Sequence, residues 1–133
     1  MKALITQTAK YLPEKVLTNF DLEKMVDTSD EWIQSRTGIK ERRLVKKGEA
    51  TSDMAANIAN QILEKSGKSP EDIDVIIIAT STPDMMVVAT AALVQNKIGA
   101  KNAWGFDLSG ACTGFIYALE TGSKLVESNR YKN

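Results

Sequence analysis

Apolar and polar positions along the 133 residues follow two periods, one of strands and one of helices. Val75-Ile76-Ile77-Ile78-Ala79 is a continuous β-branched run, the signature of a central parallel strand buried on both faces. Residues 103–108 form a second short, mostly apolar run that predicts another buried strand. Around these runs the spacing turns helical. Met54, Ala55, Ile58, Ala59, Ile62 and Leu63 line one face of a helix, capped by Thr51 or Ser52 and ended by Gly67. Ser69-Pro70-Glu71-Asp72 signals a single turn. Residues 91–98 predict a helix stopped by Gly99. Phe115, Leu119, Gly122 and Val126 define a last helical stripe, widened by Ile116 and Ala118, with Glu120 and Lys124 paired on the other face.

The first fifty residues are less regular. Residues 2–8, centred on Leu4 and Ile5, predict a first strand, and Thr18-Asn19 caps a short helix through Met25. Thr28-Ser29-Asp30-Glu31 has capping-box spacing, with Thr28 as N-cap and Glu31 reaching back, and the helix it opens ends near Gly38. On that helix Trp32 and Arg36 share a face. An exposed indole beside a guanidinium can stack on a flat heterocycle and pair with phosphate; a half-buried Trp beside a solvated Arg is the plain alternative. Residues 40–45 predict a strand leading into a charged turn at 46–49. Residues 80–90 predict a loop whose tip, Met85-Met86-Val87-Val88, is unusually apolar and points to a dimer contact or an acyl pocket, with chance exposure or core packing as the plain alternative. Alternating helices and strands give an α/β chain with a mostly parallel sheet and right-handed crossovers. The length suits one domain, 1–133, and not two.

Composition narrows the functional classes. A hydrophobic fraction of 43% and a charged fraction of 26% are those of an ordinary soluble protein. Seventeen basic and seventeen acidic residues cancel, so net charge proposes neither nucleic acid nor a membrane as partner. The start of the chain lacks the apolar core of a signal peptide, and one cysteine forms no internal disulfide, so the expected setting is cytoplasmic. With no histidine, neither a Cys–His pair nor a histidine-based zinc site can be assembled from this chain, and no metal is implied. No GxGxxG or Walker glycine pattern is present.

The chemistry converges on the single cysteine. Phe106-Asp107-Leu108-Ser109-Gly110-Ala111-Cys112-Thr113-Gly114-Phe115 puts Cys112 where an apolar strand gives way to a helical pattern, at or just inside the helix start. Free backbone N–H groups and the positive end of a helix dipole stabilise an anion at such a place. A thiolate is such an anion, which makes Cys112 a candidate nucleophile; a small buried hydrophobe is the bland alternative. Gly110 and Gly114 remove side-chain bulk around it.

This run resembles the active-site cysteine segment of β-ketoacyl-acyl-carrier-protein synthase III. The segment from Tyr11-Leu12-Pro13 to Glu31-Trp32-Ile33 and the run Arg36-Thr37-Gly38-Ile39-Lys40-Glu41-Arg42-Arg43 resemble the same family. The resemblance implies the amino-terminal half of a thiolase-like α-β-α-β-α sandwich. It implies that Cys112 takes an acyl group from acetyl-CoA or a similar acyl-CoA, for decarboxylative condensation with malonyl-acyl-carrier protein. Acyl-CoA is then a substrate and no cofactor is implied. Thr28, Trp32 and Arg36 fall where the family lines the coenzyme A entrance, and Val87 where a dimer-crossing loop borders the acyl pocket of a homodimer. Family members also use a histidine and an asparagine from a later region, and neither carries over to this chain. Gly110 stands where the family usually has alanine, and Val87-Val88 where an aromatic residue and proline are common. A non-catalytic binding or structural half-fold is the alternative from a different class, and a thiolase or another condensing relative is a third.

Overall fold

The computed structural model describes residues 2–133. They divide into two compact units, Leu12–Glu49 and a larger one made of Ala50–Asn133 with the segment up to Tyr11.

In the smaller unit, β1 (Lys15–Thr18) pairs antiparallel with β2 (Glu41–Leu44), from Lys15 opposite Leu44 to Thr18 opposite Glu41. At four residues β1 is too short for its alternation to stand out in the sequence; β2 lies within the predicted strand. Helix α1 (Asn19–Glu23) starts from Thr18, whose Oγ1 accepts from Asp21 N at 3.2 Å while Thr18 N donates to Asp21 Oδ2 at 3.1 Å. It stops short of Met25. Helix α2 (Asp30–Thr37) ends at Gly38, which takes the left-handed conformation at φ 71°. Its N-cap is Ser29 and not Thr28: Ser29 Oγ accepts from Trp32 N at 3.1 Å. Glu31 does not reach back, and the Asp30 N–H instead donates to Glu23 Oε1 at 2.6 Å.

In the larger unit, β3 (Val75–Ala79) pairs parallel with β4 (Trp104–Leu108) in the register Val75–Trp104 to Ala79–Leu108. Helix α4 (Thr90–Ile98) packs on one face of this pair and α3 (Thr51–Ser66) packs against α4, each closed by a left-handed glycine, Gly99 and Gly67. A 3-10 turn at Pro70–Asp72 leads into β3, capped by Ser69. The core joins Ala56, Val94, Ile98, Ala100 and Ala103, with Ile76 and Ile78 of β3 packed against it. Gly105 makes the layers fit: a Cβ there would stand 2.6 Å from the Ile76 carbonyl oxygen and 2.9 Å from Ala91 Cβ.

Helix α5 (Gly114–Glu127) covers the other face of β3. Its inward face takes in only part of the predicted stripe. Gly114 is buried and Gly122 half-buried, with Cβ directions that meet Ala79 Cβ at 3.6 Å and Ile77 Cδ1 at 3.8 Å. Ala118 and Val126 of the stripe are also half-buried, whereas Phe115 and Leu119 stay exposed, Phe115 at 64%. Small residues at Gly114 and Gly122 let this helix lie close on the strand. Lys124 pairs with Glu120 as expected, at 3.7 Å, and with Glu127 at 2.9 Å; these carboxylates, Glu127 first, hold its ammonium above the ordinary value.

Three further expectations change. Residues 2–8 form no strand: no described strand pairs with them, and Leu4 and Ile5 stay exposed. The β3 run is half-buried and not a central strand, since β4 is its one ladder neighbour among the described residues, although helices lie on both its faces. The N-cap of α3 is Ala50, so neither Thr51 nor Ser52 caps it. Thr51 Oγ1 donates to the Thr82 carbonyl at 2.7 Å, and the Ser52 N–H donates to Asp84 Oδ1 at 2.8 Å.

Candidate functional site

The chain leaves β4 at Leu108, turns through Ser109 and Gly110, and makes a 3-10 turn over Ala111–Thr113 before α5 begins at Gly114. Cys112 occupies the middle of that turn and is exposed. Gly110 O accepts from Thr113 N at 3.1 Å and from Thr113 Oγ1 at 2.8 Å, which closes the turn around the cysteine. Ala111 sits at φ 44°, left-handed territory that a side chain rarely adopts, so backbone strain is held at the residue before the sulfur. The predicted place of Cys112, between strand end and helix start, is the observed one, and the thiol is open to reagents. Gly110 also has a steric role: a Cβ there would meet Gly114 Cα and Tyr117 Cδ2, each at 3.0 Å.

The loop after β3 reaches its tip at Met85–Val88, where Met86 is 100% and Val87 94% exposed. Core packing is thereby excluded for Val87. The loop is nonetheless anchored at both ends by groups whose role the sequence did not reveal. Asp84 accepts from the N–H and the hydroxyl of buried Ser52, so it supplies α3 with the cap that Ala50 cannot. Asp107, on β4, accepts from Thr90 N at 2.6 Å and Ala91 N at 2.8 Å and does the same for α4. The one signal for Asp107 was a carboxylate between Phe106 and Leu108 in an apolar strand, five residues before the cysteine. Lys97 donates to Ser52 Oγ and to Asp53. That hydrogen bond, with one from Ala50 N, holds the Asp53 carboxyl below its ordinary value.

In the smaller unit Trp32 and Arg36 lie on α2 and Thr28 in the loop before it. Thr28 is half-buried, Trp32 is 58% exposed and Arg36 is exposed. Asp27, Thr28, Ser29 and Trp32 line a shallow depression of about 350 Å³. An exposed indole at its wall offers a stacking surface, and Arg36 stands one helical turn further on. Among the described residues no group of acidic, cysteine or histidine side chains could hold a metal, and no helix is long and apolar enough to cross a membrane.

Known proteins resemble this chain in sequence and fold. A family model described as 3-oxoacyl-[acyl-carrier-protein (ACP)] synthase III matches residues 106–133, the segment holding Cys112 and α5. The β-ketoacyl-[acyl-carrier-protein] synthase III of Chlorobaculum tepidum is 58% identical over 133 residues, covering 99% of this chain. The chain resembles the amino-terminal portion of β-ketoacyl-[acyl-carrier-protein] synthase III. The synthase III of Streptococcus thermophilus is 55% identical over 98% of the chain. The chain spans about 40% of the length of these curated relatives. The crystal structure of the Aquifex aeolicus synthase III matches with a TM-score of 0.90 at 52% identity, over 94% of this chain and 40% of that one. The Thermus thermophilus synthase III matches at 0.88 and 45%, over 96% of this chain and 39% of that one. The α/β fold expected from the sequence, the amino-terminal part of a thiolase-like sandwich, is the fold of these synthases over the shared region.

Proposed function

We propose that this chain carries the acyl-accepting half of a synthase III reaction, with Cys112 as the nucleophile. The observation that supports this best is the exposed Cys112 in a strained turn between β4 and α5, within a segment that matches the synthase III family. In this reading the Cys112 thiolate attacks the carbonyl carbon of acetyl-CoA or a related acyl-CoA. A tetrahedral oxyanion forms against backbone N–H groups of the turn, the C–S bond to coenzyme A breaks, and coenzyme A leaves as the thiol after taking a proton. Malonyl-acyl-carrier protein then loses carbon dioxide, and its carbanion attacks the Cys112 thioester, releasing the thiolate and the β-ketoacyl product. Coenzyme A is bound by Thr28, Trp32 and Arg36, and acyl-CoA is a substrate with no separate cofactor. Val87 belongs to a dimer-crossing loop bordering the acyl pocket of a homodimer, and the reaction is cytoplasmic. All of 1–133 acts as one partial domain.

The second step needs charge stabilisation that the family draws from a histidine and an asparagine, and this chain has no histidine. The chain alone therefore acylates slowly and does not condense. Incubated with acetyl-CoA and malonyl-acyl-carrier protein, it yields no β-ketoacyl product, while coenzyme A slows alkylation of Cys112 by iodoacetamide; Cys112→Ala takes up no reagent. Condensation at synthase rates, or a Cys112 that ignores coenzyme A, overturns this reading. The exposed Phe115, Ile116 and Leu119 face of α5 favours a second reading, a non-catalytic associating module. An oligomer with an unreactive Cys112 would select it.

A further inference from the structure

Helix α2 is held in an unusual way. It has eight residues, none of them buried, so neither its length nor apolar burial fixes it. The side chain that does so is Asn19, the first residue of α1 and fully buried. Asn19 Nδ2 donates to Asp30 Oδ1 at 2.9 Å, at the first residue of α2, and to the Ile39 carbonyl at 2.7 Å, just beyond its Gly38 cap. One amide thus grips both ends of the helix. Asn19 Oδ1 accepts from Arg42 Nη2 at 2.7 Å, and Asn19 N donates to Lys40 O at 3.1 Å, which fasten the clamp to β2 and the residue before it. Asp30 is further locked by its N–H to Glu23 and by Gln34 Nε2 on Oδ2, both at 2.6 Å. Every polar group of the Asn19 side chain is used, so no smaller or purely accepting side chain reproduces the clamp.

We infer that Asn19 is a positioning residue for ligand recognition on α2, setting the pose of Trp32 and Arg36 beside the depression lined by Asp27, Thr28, Ser29 and Trp32. The inference rests on the reading that α2 takes the nucleotide end of coenzyme A. Because Asn19 acts through α2, its loss weakens coenzyme A binding and leaves the chemistry at Cys112 untouched.

Coenzyme A binding to the full chain is measured by calorimetry, with iodoacetamide alkylation of Cys112 in parallel without ligand. Asn19→Asp, which keeps the acceptor, loses both donors and faces Asp30, raises Kd about tenfold with an unchanged alkylation rate. The exchange Asn19→Asp with Asp30→Asn restores a donor–acceptor pair between the two positions and recovers most of the affinity. Thr18→Ala removes the α1 cap, lowers the melting temperature and leaves Kd unchanged. Should Asn19→Asp not fold, Arg42→Gln removes the charged donor to Oδ1 and still weakens binding several-fold. A wild-type Kd in the variant that folds, or an equal loss in Thr18→Ala, overturns the inference while the α2 reading stands. Failure of the wild-type chain to bind coenzyme A, or an Arg36→Ala variant that binds as tightly as wild type, overturns the α2 reading and the inference with it.

Discussion

Gly105 and Gly122 are chemically identical residues under opposite constraints. At Gly105 an added Cβ would press on the Ile76 carbonyl and on Ala91 Cβ, one a backbone atom and the other set on a buried helix. Gly105→Ala is expected to cost about 2 kcal/mol, within the range for overpacked cores. At Gly122, inside α5, the same methyl finds Ile77 Cδ1 at an ordinary 3.8 Å. Gly122→Ala is expected to gain about 0.5–1 kcal/mol from helix propensity. Urea unfolding of the two variants checks both signs. The sequence marks both positions as glycine and distinguishes neither, because the difference lies in what crosses opposite them. Cys112 was more legible: a strand pattern ending at Leu108 and a helical stripe from Phe115 place it at the turn between them. Ala111 was not, since nothing in its side chain announces a left-handed backbone.

Elements closed by glycine were readable at their C-termini, at Gly38, Gly67 and Gly99, because the left-handed cap is a local requirement. Their N-termini were less so. Thr28, Thr51 and Ser52 have the right chemistry for caps, yet α2 takes Ser29, while α3 and α4 are capped from afar by Asp84 and Asp107. Long-range carboxylates leave no local spacing to read. Asp53, by contrast, accepts from Ala50 N at 2.9 Å within its own helix start, besides its pairing with Lys97. The Lys97 hydrogen bond first, then the Ala50 N–H, lower its folded-state value below 3.8. A carboxylate so depressed adds stability above its unfolded value and loses it as pH falls through the folded one. Stability is therefore expected to decline below about pH 4, and Asp53→Asn to flatten that decline while lowering stability at pH 7. Thermal melts across pH 2–7 measure both effects.

Over the whole chain, the alternation of strands and helices sufficed to identify an α/β protein, and the apolar run at β3 located its parallel pair. What stayed hidden concerns surfaces. The stripe expected to hold α5 against the sheet is only partly covered: Gly122 meets β3, while Phe115 and Leu119 beside it, and Ile116, stay exposed. Periodicity reports an apolar face without saying which neighbour meets it. The apolar tip Met85–Val88 lies in a loop as expected, and its exposure leaves the dimer contact and the border of the acyl pocket as the proposed uses. The functional account turns on one atom, the sulfur of Cys112. The direct test is intact-mass analysis of the chain after incubation with acetyl-CoA, with peptide mapping of any adduct. The account predicts one acetyl group on Cys112 as a thioester that hydroxylamine removes, and none on Cys112→Ala. An unmodified chain, or an adduct on a lysine that survives hydroxylamine, would contradict it.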